Sequence, residues 1–126
     1  MEKILIIEDD SFLSEMYATK LTQAGFKVEI ADNGQEGFAK IKEGKPDLVL
    51  LDIVLPKMDG FEILKIIKAD DQLKNIPVIM LTNLGQKTEV EKGLVLGANA
   101  YIIKAHYTPA AVMEKIKEVL GKATNN

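Results

Sequence analysis

Short apolar runs punctuate the chain at residues 4–7, 28–31, 48–51, 78–81 and 101–103. Four of them are nearly continuous in apolar residues, the pattern of strands buried on both faces of a parallel sheet. The exception, Val28-Glu29-Ile30, is interrupted by a charge and predicts an edge strand. Between the runs the spacing turns helical. Ser11 is placed to cap a first helix carrying Leu13, Met16, Tyr17 and Leu21, with Gly25 as its stop. In a second helix Phe38 and Ile41 lie one turn apart, ended by Gly44 and Pro46. A third carries Phe61, Leu64 and Ile67 as a stripe after Asp59-Gly60. Val90 and Leu94 mark a shorter fourth, weakened by Gly93. The last is the clearest: Thr108 caps it, Pro109 takes the first helical position, Val112, Ile116, Val119 and Leu120 face inward, and Gly121 ends it.

Five strand–helix units in alternation predict an α/β fold, (βα)5, with a doubly wound five-stranded parallel sheet and right-handed crossovers. At 126 residues there is room for one domain, expected over 1–121, with 122–126 a polar C-terminal tail or the start of a linker. Composition narrows the classes. Apolar residues at 47% allow a full core. A net charge of −3 with scattered lysines leaves no basic stripe, so direct nucleic-acid binding is not expected. The chain has no arginine, which removes bidentate guanidinium chemistry, and no cysteine, which removes disulfides and thiolate metal sites. No run is long enough for a membrane span, and a cytoplasmic location is expected.

Candidate chemistry follows from the strand ends, because ligands of open α/β sheets sit at the carboxyl edge. The first run ends in Glu8-Asp9-Asp10, the third in Asp52, the fourth in Thr82 and the fifth in Lys104. A strand order of 2-1-3-4-5 would make those four ends successive neighbours. Clustered carboxylates repel, and a divalent cation relieves the repulsion. A central Asp52 is then suited to attack phosphorus, with Lys104 and Thr82 supplying charge and a hydroxyl donor.

Four segments carry a specific resemblance: Ile4-Leu5-Ile6-Ile7-Glu8-Asp9-Asp10, Leu50-Leu51-Asp52-Ile53-Val54-Leu55-Pro56-Lys57-Met58-Asp59-Gly60, Val78-Ile79-Met80-Leu81-Thr82 and Gly97-Ala98-Asn99-Ala100-Tyr101-Ile102-Ile103-Lys104. In this order the chain resembles receiver domains of two-component response regulators, of the stand-alone chemotaxis-regulator type, with a flavodoxin-like fold. The resemblance implies a signalling switch, not an enzyme acting on a separate substrate. Asp52 would accept a phosphoryl group from a histidine kinase or phosphotransfer protein. Mg²⁺ would be held by Asp9, Asp52 and the backbone carbonyl of Val54, with Glu8 acting through a water. Lys104 would contact the phosphoryl group. Thr82 and Tyr101 would form the switch, changing a face of helix 4, strand 5 and helix 5 that includes Lys87, Glu91, Val95, Tyr107 and Ala111. An unidentified downstream protein would read that face, from a monomer or a phosphorylation-dependent dimer.

Two departures stand out. The family usually has proline after its lysine, in a cis bond. Here Ala105 follows Lys104, and the cost of a non-proline cis bond, about 2.5–4 kcal/mol, predicts trans. Asn83 stands where the family tends to have a small residue, and narrows access to the site. Val54 and Leu84 flank it with side chains that cannot orient a water, so slow autodephosphorylation is expected. Plainer readings exist for each residue. The three acids at 8–10 could simply cap and charge a helix, Thr82 could be a turn residue, and Tyr101 could be strand packing. His106 reads as a loop residue without a partner histidine. A dehalogenase-type phosphatase would need a second Asp where Val54 stands. An FMN carrier would not place three acids in its first loop, and a P-loop is absent. The strongest rival is a degenerate receiver acting as a phosphorylation-independent binding module.

Overall fold

The computed structural model describes residues 2–124, of which 122–124 are described in backbone only. The elements alternate as β1 (Lys3–Ile7), α1 (Ser11–Gln23), β2 (Lys27–Ala31), α2 (Gly34–Gly44), β3 (Leu48–Leu51), α3 (Gly60–Ala69), β4 (Val78–Thr82), α4 (Lys87–Val95), β5 (Ala100–Ile103) and α5 (Pro109–Thr124), with a short 3-10 turn (Lys104–His106) after β5. The five strands are parallel and ordered β2-β1-β3-β4-β5, as expected. The charged strand is indeed an edge, and only Ala31 of β2 is fully buried.

Strand alternation divides the core into two layers. On one face Ile4, Ile6, Leu48, Leu50, Ile79, Leu81 and Ile102 pack against Tyr17 and Leu21 of α1 and Val112 and Ile116 of α5. On the other, Leu5, Ile7, Val49, Leu51, Val78 and Met80 pack against Ile41 of α2 and Ile63, Leu64 and Ile67 of α3. Helices therefore cover both faces, which is why β1, β3 and β4 read as unbroken apolar runs.

Several local expectations are corrected. Asp10, not Ser11, caps α1: its carboxylate accepts from the backbone N–H groups of Phe12 at 3.0 Å and Leu13 at 3.2 Å, and Ser11 is the first helical residue. Gly121 does not end α5, which runs on to Thr124. Gly121 has open space around it, so nothing forces the helix to stop there. The remainder of the expected tail, Asn125 and Asn126, lies outside the described residues, as does Met1. In α4, Leu94 does not face the core: it is 48% exposed, and the residue that α4 buries is Gly93. The other stops and caps hold. Gly25 takes a φ of 99° just after α1, and Thr108 accepts from Ala111 N at 3.1 Å.

Candidate functional site

The strand registers align the carboxyl ends in one row. Ile7 pairs with Leu51, Leu51 with Met80, and Thr82 with Ile103. The next residues of β1, β3 and β5, together with Thr82 itself, therefore open onto one cleft. Glu8, Asp9, Asp52, Thr82 and Lys104 all line it.

The three acids after β1 have separate surroundings. Glu8 continues the strand, donating its N–H to the Ala31 carbonyl at 3.0 Å, and its side chain is buried. Asp9 is exposed. Asp10 is consumed as the α1 cap. Asp52 also continues its strand, donating to the Ile7 carbonyl at 3.0 Å, and is only 6% exposed. One carboxylate oxygen accepts from Ile53 N at 2.7 Å and the other faces Lys104. Close packing holds this end of β3 in place: a Cβ on Gly60 would lie 2.3 Å from the Asp52 carbonyl oxygen, so only glycine lets α3 start here.

Lys104 reaches the site from the 3-10 turn. Its Nζ lies 2.8 Å from Asp52 Oδ2 and is ion-paired with Glu8 as well. The Lys104-Ala105 bond is trans, as expected, and the amine arrives all the same. Burial would lower the Lys104 amine, but its hydrogen bonds to Asp52 and Glu8 outweigh that and raise it. Burial pushes the Glu8 carboxyl up to about 7, the Lys104 hydrogen bond opposing and the Asp52 charge adding to the rise. One ammonium thus serves two buried carboxylates, leaving a net negative site.

A third carboxylate joins them. Glu8, Asp9 and Asp52 each offer an oxygen within 4.8 Å of the other two. Hard oxygen donors at this spacing fit a small divalent cation, which would relieve the excess negative charge. The rim mixes apolar and polar side chains: Val54 is 62% exposed, Leu13 and Leu84 stand beside it, and the exposed Asn83 and Asp10 complete the lining. Thr82 is 1% exposed, and its Oγ1 accepts from Leu84 N at 3.4 Å. Tyr101 is half-buried and donates its hydroxyl to the Leu84 carbonyl. His106 is exposed in the 3-10 turn.

All the residues singled out at the strand ends are therefore brought together. What the sequence did not reveal is the pairing of Lys104 with Glu8 across 96 positions, the bond from Tyr101 to Leu84, and the steric demand at Gly60. The Asp59-Gly60 pair was a visible signal for the last, since a turn glycine beside a candidate site often marks a close backbone approach.

A parallel (βα)5 sheet with an acidic cluster, a hydroxyl and an amine at its carboxyl edge defines a receiver-type signalling domain. The chain belongs to the response regulator receiver domain family of two-component systems, whose family model matches residues 4–117. It is 39% identical over 119 residues to the phosphate regulon transcriptional regulatory protein PhoB of Pseudomonas aeruginosa, covering 94% of this chain and 52% of that one. It is 36% identical over 120 residues to the transcriptional regulatory protein CusR of Escherichia coli strain K12, covering 95% of this chain and 52% of that one. The chain thus spans about half the length of these curated relatives. Among solved structures, a CheY-like response regulator receiver domain protein from Methanospirillum hungatei JF-1 superposes with a TM-score of 0.91 at 36% identity, covering 99% of this chain and 98% of that one.

Proposed function

We propose that this chain is a phosphorylation-dependent switch whose phosphoacceptor is Asp52, charged by the phosphohistidine of a histidine kinase or phosphotransfer protein. The observation that carries the reading is the buried Asp52 carboxylate, 2.8 Å from Lys104 Nζ and within the cluster formed with Glu8 and Asp9. An Asp52 carboxylate oxygen attacks phosphorus, the phosphorus–nitrogen bond of the donor breaks, and the imidazole leaves with that electron pair. Lys104 then turns from pairing with carboxylates to pairing with the new phosphoryl oxygens. Thr82 offers its hydroxyl to the same group. A Mg²⁺ ion held by Asp9, Asp52 and the Val54 carbonyl, with Glu8 through a water, would supply positive charge opposite Lys104. Tyr101 and the face formed by α4, β5 and α5 carry the change to a downstream protein.

The test is mass spectrometry after treatment with acetyl phosphate. One phosphoryl group should be gained with Mg²⁺ present, and none after chelation or in Asp52→Asn. No gain under any condition would sink the switch and favour a phosphorylation-independent binding module.

A further inference from the structure

An interior glycine is unfavourable in a helix, costing about 1 kcal/mol relative to alanine. Yet α4 carries Gly93 at the end of its second turn and buries it. The surroundings account for this. A Cβ at position 93 would lie 2.9 Å from Cδ2 and 3.1 Å from Cε2 of the Tyr101 ring, closer than packed carbons approach. Its next neighbour, Met80 Cγ, would be at an ordinary 3.7 Å. The space left by the missing side chain is therefore filled by one partner, the Tyr101 ring.

That ring position has a consequence at the site. Tyr101 sits on β5 in register with Met80, so its backbone is fixed by the sheet. From there its hydroxyl donates to the Leu84 carbonyl, while the Leu84 N–H donates to Thr82 Oγ1. Leu84, Asn83 and Thr82 line the cleft that holds Asp52. Burial, with the Glu89 and Asp52 charges adding, raises the phenol to about 12, so it stays a donor at neutral pH.

We propose that Gly93 is a positioning residue: by lacking a Cβ it admits the Tyr101 ring against α4, and so lets the Tyr101 hydroxyl hold the β4–α4 loop beside Asp52. Adding a methyl group leaves two ways out. Either the ring swings away on its side-chain torsions and releases Leu84, or α4 shifts as a body and the bond survives. The ring is the softer element, because it turns on its own side-chain torsions, while a shift of α4 would also strain the backbone connections at both its ends. The part of this inference that concerns phosphorylation rests on the function proposed above; the part that concerns the loop does not.

The experiment is Gly93→Ala, alone and in a Tyr101→Leu background, without any phosphate donor. Alanine favours the helix, so far-UV circular dichroism and the thermal midpoint should hold. Nuclear Overhauser contacts between the Tyr101 ring and residue 93 should vanish. Amide exchange at Leu84 and its neighbours should speed up about fivefold to tenfold, as the loss of one net hydrogen bond implies. In the Tyr101→Leu background the same substitution should leave loop exchange unchanged, a result a general loosening of α4 would not give. Persistence of the ring contacts with unchanged loop exchange in Gly93→Ala would overturn the proposal, and so would equal acceleration in both backgrounds. With acetyl phosphate, the phosphorylation rate should then change about threefold, the scale of a sub-ångström misplacement. Unphosphorylatable wild-type protein would count against the function, while the exchange data would still decide the role of Gly93.

Discussion

Glu8 and Asp52 both follow a buried strand, yet they are not equivalent. Asp52 shares Lys104 and also accepts from the Ile53 N–H, whereas Glu8 depends on Lys104 and the Asp10 N–H in a more deeply buried position. Its carboxyl is raised from 4.5 to about 7 by that burial. Between those values the folded chain retains a proton that the unfolded chain has lost, so stability is full below the lower value and falls as pH rises through the upper one. With a chelator present, the urea midpoint should therefore drop between about pH 5 and pH 7.5, following this linkage. Glu8→Gln, which cannot ionise, should flatten that decline. An unchanged slope would show that Glu8 titrates normally. Val54 and Leu84 line the cleft with hydrocarbon side chains, which offer a water attacking an acyl phosphate no hydrogen-bond partner. The Asp52 phosphoryl group should accordingly decay slowly. Val54→Asn should hasten its loss by about tenfold, at the low end of what positioning a reacting water contributes. Decay followed by mass spectrometry checks this.

Among the helices, the ends and faces separate what was legible from what was not. α3 and α5 were readable because their apolar stripes face the core at helical spacing: Leu64 and Ile67, and Val112 and Ile116, are all fully buried. α1 was readable as a helix, but its cap was not, since Asp10 and Ser11 are adjacent and both are good capping residues. The choice falls to Asp10 because the strand-end acids divide their tasks, Glu8 turning inward and Asp10 turning back onto α1. Asp10→Ala should lower stability by about 1 kcal/mol, while Ser11→Ala should stay within about 0.5 kcal/mol. Urea unfolding of the two variants distinguishes them. In α4 the stripe found the helix, which spans Lys87–Val95, but not the face that packs. Val90 and Leu94 have the right spacing, but α4 meets the sheet through a glycine, and its apolar residues Leu94 and Val95 point to solvent. A helix that packs through the absence of a side chain does not mark its buried face in the sequence. The site itself was legible for the opposite reason: Glu8, Asp52, Thr82 and Lys104 each end or follow an apolar run, so the sheet order alone brings them together. Their pairing pattern was hidden, because which acid an amine chooses depends on burial and not on sequence spacing.

Across the whole molecule these differences amount to an uneven distribution of stability. Residues of β1, β3 and β4 are buried almost without exception, between layers of helix on both sides. α4 lies at the other extreme, burying only Gly93, with Val95 85% exposed. Local opening follows buried apolar contact, so the native-state exchange of α4 amides should be the fastest of the five helices, and that of β1, β3 and β4 should approach the global unfolding limit. A loosely held element beside the site is also the one that a few hydrogen bonds can bias. The Leu84 carbonyl is bound by Tyr101 just before α4 begins, and the Glu89 carboxylate accepts from the Gln86 N–H at 3.1 Å across the first turn. A new charge at Asp52 that draws Thr82 toward it would pull on Leu84, and through it on this helix rather than on the rigid strands. Hydrogen exchange with and without an Asp52 phosphoryl group should thus change in α4 and the loop before it, while the central strands stay unaltered. Changes spread evenly over all elements would mean that the charge acts by global stabilisation, and that the weakness of α4 is incidental to the switch.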